Sequence, residues 1–163
     1  MDVRALQRPL KERYREDPSA SRITLGARGS EAAAGPLACS VDIGRALYEA
    51  EAHVGVGGPG TAACSGDLLL GALAACAQVT CQLVAANMGV DAGRIEVFAE
   101  GDLDLRGTLG SRDVPVGFQE IRLRLQIDAP GADEEELSAL REKTQRYCVV
   151  LQTLLERPRI RVS

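Results

Sequence analysis

Cys76 and Cys148 are the two residues of this chain best suited to chemistry. Cys76 lies in the middle of Leu68 to Val90, the one long stretch without a charged residue. Cys148 follows a charged helical pattern near the C-terminus. Two thiols on predicted buried helical faces, far apart in sequence, suit a thiol-based redox site. The thiolate is the nucleophile in that chemistry, and a disulfide is its product. The other three cysteines, Cys39, Cys64 and Cys81, read as small hydrophobes, the usual role of a free cysteine.

Other chemistries find less support. Cys64, Cys76 and Cys81 are close in sequence, but no C-x-x-C pair exists and the sole histidine is His53, so the spacing matches no structural zinc site. No G-x-S-x-G elbow accompanies His53 for a hydrolase. The run Gly55-Val56-Gly57-Gly58-Pro59-Gly60 is turn-rich but lacks the Gly-Lys-Ser/Thr of a phosphate-binding loop. Net charge is −4, against nucleic acid as partner, and 3% aromatic content gives few stacking platforms for bases. No cofactor is implied. The uncharged run is long enough to cross a bilayer, but Gln78, Thr80, Gln82 and Asn87 interrupt it and Asp67 and Asp91 flank it. It is expected to be a helix apolar all round, buried in a protein core rather than in a membrane.

The elements that position these thiols follow from local patterns. Residues 1–22 are charged and contain Pro9 and Pro18; they read as a loosely attached N-terminal arm whose Leu6, Leu10 and Tyr14 share a helical face. Residues 23–163 read as a single domain, within the size one core can support. Short runs from Ile23 to Val56 suggest two or three strands, the first followed by a turn at Gly26-Ala27-Arg28-Gly29. Ser65 is the expected N-cap of the central helix, Asp67 lies in its first turn, and Gly89 marks its end. Alternation from Arg94 to Leu105 predicts a strand, and Ile121, Leu123, Leu125 and Ile127 predict a half-exposed one. Asp133 to Glu136 opens a helix whose face carries Leu137, Leu140, Thr144 and Cys148. It is expected to continue through Val149 to Leu155 until Pro158, with Ile160 to Val162 as a last strand. The order is that of an α+β fold.

Two segments carry a family resemblance. Gly57-Gly58-Pro59-Gly60 followed by Ser65-Gly66-Asp67-Leu68-Leu69-Leu70-Gly71-Ala72-Leu73-Ala74-Ala75-Cys76 resembles the central helix of the OsmC/Ohr proteins, the osmotically inducible and organic hydroperoxide resistance family. Tyr147-Cys148-Val149-Val150-Leu151-Gln152-Thr153-Leu154 resembles the family's Cys-Pro segment before its last helix. The resemblance implies an OsmC-like antiparallel sheet with a long buried central helix, in an intertwined homodimer. It implies a peroxidase acting on organic hydroperoxides, with Cys76 as peroxidatic thiol, Cys148 as resolving thiol and an external dithiol as reductant. Arg28 matches the family's activating arginine, with Arg45 as a rival. A guanidinium there would offset the burial that otherwise raises a thiol pKa.

Three positions depart from the family pattern. The hydroperoxide enzymes carry Pro-Glu where Ser65-Gly66 stands here, and Val149 stands where the Pro after the second Cys is usual. Asp67 lies nine residues before Cys76, on the opposite face of a continuous helix. Two functions therefore stand side by side: a thiol peroxidase, and a non-catalytic small-molecule binding protein on the same dimeric scaffold. Five cysteines without an export signal point to a reducing, cytoplasmic setting.

Overall fold

The computed structural model describes residues 3–22, 24, 28–31, 38–42 and 47–163. Its helices are α1 (Val3–Glu16), α2 (Ser65–Met88), α3 (Leu105–Thr108), α4 (Glu134–Tyr147) and α5 (Val149–Leu155). Its strands are β1 (Arg28–Glu31), β2 (Ala38–Asp42), β3 (Leu47–Glu51), β4 (Arg94–Leu103) and β5 (Phe118–Asp128). The architecture is α+β, with antiparallel pairing and one long helix. The chain forms two compact units, one made of Met1–Ser21, Ala72–Ala99 and Leu123–Ser163, the other of Arg22–Gly71 and Glu100–Arg122.

The second unit holds the antiparallel meander β1-β2-β3, with Arg28 opposite Asp42 and Cys39 opposite Ala50. Arg28 and Gly29, expected in a turn, instead pair with β2, and the rest of that expected turn lies outside the described residues. The buried Glu51 ties down the loop that follows: its carboxylate accepts from the Thr61 N–H (2.9 Å), the Thr61 hydroxyl (2.5 Å) and the Ala62 N–H (3.1 Å). The expected strand from Arg94 stops at Leu103. Leu105 instead begins α3, because the Asp104 side chain caps the Arg106 N–H.

β4 and β5 pair with each other. Arg122 binds Asp102, while Arg124 stacks over Phe98 at 4.3 Å, so the contacts step in opposite directions as an antiparallel pair requires. Along β5 the half-buried Ile121, Leu123, Leu125 and Ile127 alternate with exposed Arg122, Arg124 and Gln126.

The core of the first unit lies between α2, α4 and these strands. Cys81, Val84, Ala85 and Leu140 are buried there, with Met88, Val90, Ile95, Leu125 and Ile127 packed against them. On α2 the buried Leu73, Ala77, Cys81, Val84 and Ala85 follow helical spacing, and small residues let the partner elements approach closely. The expectation that this helix is covered all round does not hold for the single chain. Its opposite face is open to solvent, with Val79 54% exposed.

α2 begins at Ser65 itself rather than being capped by it. Asp67 reaches back to the N–H of Cys64 at 2.9 Å, the second half of a capping-box arrangement. Gly89 ends the helix with φ +80°, a conformation that L side chains rarely adopt. The N-terminal residues are tied to this end: Arg4 donates to the Asn87 carbonyl at 2.5 Å, and Asn87 donates to Gln7 at 3.0 Å. Arg4 thus satisfies one of the carbonyls that the last helical turn leaves unpaired.

α4 opens with a complete capping box between Asp133 and Glu136. The helix does not run on to Leu155. Cys148 adopts φ −73°, ψ 105° and separates α4 from α5, although its N–H still bonds Thr144 and its C=O accepts from Gln152. Only one ψ angle departs from the helix, so hydropathy patterning gives no sign of the break. The expected last strand at Ile160 to Val162 is absent. Among the described residues they find no partner strand, and Val162 is 94% exposed.

Candidate active site

The break at Cys148 sets the chemistry of the site. A helix leaves its first N–H groups without intrahelical acceptors. The first such groups of α5, those of Val149 and Val150, lie near enough to the Cys76 sulfur to favour its thiolate. The Cys148 thiol and the Thr80 hydroxyl, one turn along α2, also act on it. Cys148 itself is fully buried, and Cys76 is partly so.

Electrostatics divides the two thiols. Burial pushes Cys76 up, but the Val150 amide, the Cys148 thiol, the Thr80 hydroxyl and the Val149 amide together outweigh it and hold the thiol below its ordinary value. Burial pushes Cys148 up. The Leu151 amide partly offsets this, and the neighbouring Cys76 charge adds to the rise. The two shifts run in opposite directions, so loss of a proton from the pair favours Cys76 over Cys148. That is the arrangement of an attacking thiolate beside a thiol able to condense with it.

Of the three residues singled out from sequence, the structure brings Cys76 and Cys148 together within the first unit. Arg28 lies in β1, in the second unit, and its side chain falls outside the described residues, as does the whole of Arg45. Among the described residues, the favourable influences on Cys76 come from amides, a thiol and a hydroxyl. Cys81 sits against Thr144 in the core, where burial raises its pKa, and Thr144 turns its own hydroxyl to the Leu140 carbonyl at 2.7 Å. Cys81 is thus a packing residue. Cys64 and Asp67 belong to the start of α2, where the Cys64 amide and thiol hold the Asp67 carboxyl below its usual range. His53 turns Nδ1 to the Gly55 N–H at 3.0 Å.

Sequence reasoning missed Thr80, Val149 and Val150. The first had a signal, since four residues separate it from Cys76 on one helical face. The two amides had none, because they matter only through the break at Cys148.

Gly66, the position of the family's glutamate, lies in the second unit against the Phe118 ring. A Cβ built there would come within 3.3 Å of that ring and 3.4 Å of the Cys64 sulfur. Phe118 also fills the space beside Gly101. The region is an apolar cavity of about 660 Å³, lined by Leu69, Leu103, Leu105, Val116 and Phe118 among others.

Known proteins place this fold. The model of the OsmC-like protein family matches residues 58–163. No curated protein sequence matches the chain. Among solved structures, an OsmC-like protein of Mycoplasma pneumoniae is similar at TM-score 0.68 and 16% identity, over 83% of this chain and 89% of that one. An organic hydroperoxide resistance protein OsmC of Legionella pneumophila is similar at TM-score 0.60 and 20% identity, over 82% and 90%. The organic hydroperoxide resistance protein OhrB of Bacillus subtilis is similar at TM-score 0.54 and 18% identity, over 83% and 93%. A family match that covers well over half the chain, on a fold shared with these structures, makes this protein a member of the OsmC-like family.

Proposed function

We propose that this protein is a thiol peroxidase that reduces organic hydroperoxides, with Cys76 as the attacking thiolate and Cys148 as the resolving thiol. The observation that carries the reading is the charge-divided pair: a Cys76 thiol held low beside a Cys148 thiol held high. The hydroperoxide resistance proteins among its structural relatives support the substrate class.

The Cys76 thiolate attacks the distal peroxide oxygen, the O–O bond breaks, and the alkoxide leaves and takes a proton to become an alcohol. Cys76 is now a sulfenic acid. The Cys148 sulfur attacks it, water leaves with the Cys148 proton, and a Cys76–Cys148 disulfide forms. An external dithiol reduces that disulfide by exchange and is itself oxidised. Burial of Cys148 keeps its proton in place until the sulfenic acid appears. The α5 amides stabilise the thiolate without a titratable partner. Arg28 remains the proposed guanidinium for the same charge.

We further propose that the working form is a cytoplasmic homodimer. The exposed Val79 side of α2, otherwise Ala-rich, is an apolar face that a second copy would cover.

The test is peroxide consumption. Wild-type protein with dithiothreitol should consume cumene hydroperoxide over many turnovers. Cys76→Ser should abolish this. Cys148→Ser should slow turnover and accumulate oxidised Cys76. Consumption that survives Cys76→Ser would reject the reading. A second reading, non-catalytic binding of a small molecule, is favoured by one observation: the Phe118 ring and the apolar cavity stand where the family's glutamate would be. It requires that Cys76→Ser leave ligand affinity intact and that no peroxide be consumed.

A further inference from the structure

The N-terminal helix carries a charge that the proposed chemistry does not use. α1 holds five cations against two carboxylates, in a protein whose net charge is −4. Arg4, Arg8, Lys11 and Arg15 recur at helical spacing along one face. Arg4 is engaged with the α2 terminus. Among the described residues, Arg8, Lys11 and Arg15 have no carboxylate in ion-pair reach, and neither does Lys143 of α4. Like charges three and four residues apart weaken their own helix unless a counter-anion binds.

These cations border two adjoining cavities. One, of about 310 Å³, is lined by Arg8, Lys11 and Arg15, with Glu12 as its one carboxylate. The other, of about 560 Å³, has an aliphatic floor of Leu83, Val84 and Met88, with Lys143 at its edge. Lys11 and Asn87 line both, so the two spaces are neighbours. Thr80 lines the second, and its hydroxyl acts on Cys76. Cys76, Thr80, Leu83 and Asn87 follow one strip of α2 at helical spacing.

We propose that this groove binds a single-chain amphiphile with a phosphate monoester head. The head sits among Arg8, Lys11 and Arg15: the two guanidinium forks match phosphate oxygens pairwise and the Lys11 ammonium adds a third positive charge. Several cations answer a doubly charged head better than a single carboxylate. The alkyl chain lies on Leu83, Val84 and Met88 and runs along the strip toward Cys76. A nucleotide fits less well, because Tyr147 is the one aromatic residue beside an otherwise aliphatic floor. The assignment concerns binding and does not require that Cys76 turn over peroxide.

The test is calorimetry on the reduced full chain with dodecyl phosphate below its micelle concentration. Dodecyl phosphate should bind at least about tenfold more tightly than inorganic phosphate or dodecyl maltoside, since a charge-assisted contact and a buried chain each contribute that much or more. It should also slow iodoacetamide labelling of Cys76. Arg8→Glu with Lys11→Glu should weaken binding about tenfold or more with unchanged helical circular dichroism, and Arg8→Gln with Lys11→Gln should weaken it less. Equal affinity for inorganic phosphate would reduce the feature to an ion site and overturn the proposal. So would binding unaffected by the double charge reversal. Binding to phosphatidate vesicles but not to monomeric lysophosphatidate would replace the groove by a membrane-facing surface and overturn it as well.

Discussion

Val149→Pro separates the two roles of the break at Cys148. Val149 is the first residue of α5, where proline is tolerated because the N–H there has no intrahelical partner. Its side chain is 71% exposed, so the ring meets solvent. Cys148 already has ψ 105°, on the extended side that a residue before proline prefers. The substitution should therefore leave the fold intact. It also removes one amide that acts on the Cys76 sulfur, the smallest of the four favourable influences. A hydrogen bond to a charged group contributes about 1.5–3 kcal/mol and one pKa unit is about 1.4 kcal/mol, so the Cys76 midpoint should rise by about one to two units. Iodoacetamide labelling of Cys76, followed by peptide mass spectrometry from about pH 5 to about pH 9, brackets the ordinary thiol value near 8.5. A midpoint that stays in place in a folded variant would refute the claim that the α5 amides hold the thiolate.

Other outcomes follow from the same structure. Cys76 labelling should persist below the ordinary thiol value and fall as the pH drops through its lowered pKa, whereas Cys148, whose pKa is raised, should label only above that value. By the same linkage, the stability that Cys76 contributes is present above the unfolded thiol pKa and lost as the pH falls through the folded one. A denaturant series on Cys76→Ser against wild type checks the sign. Leu140→Ala removes a fully buried side chain packed on Cys81 and Val84, and should cost about 2–5 kcal/mol in urea unfolding. Asp133→Ala dismantles the capping box of α4 and should cost about 0.5–2 kcal/mol by the same measurement.

Much of this molecule is legible in its sequence, wherever a local rule decides the structure. Ile121 to Ile127 alternate in β5 because one face packs on the core and the other meets water. Asp133 and Glu136 announce α4 because they satisfy each other's backbone donors. Gly89 ends α2 because its φ is positive. The two cysteine segments suggested which thiols to watch.

What sequence did not convey depends on packing. The ψ angle of Cys148 turns a continuous helix into two, without a Pro or Gly to mark it. The same angle creates the amide pair at Cys76. The apolar periphery of α2 looks alike on every side, and hydropathy cannot separate the face its own chain covers from the face it leaves open. Leu105 continues the alternation of β4, yet the Asp104 cap makes it helical.

The most direct test of the redox pair is a disulfide map. Reduced protein given one equivalent of an organic hydroperoxide, then digested without reductant, should yield the peptide of Cys76 joined to that of Cys148, and the link should vanish with dithiothreitol. Peroxide-treated protein in which Cys76 stays a free thiol, or pairs with any cysteine other than Cys148, would contradict the assignment.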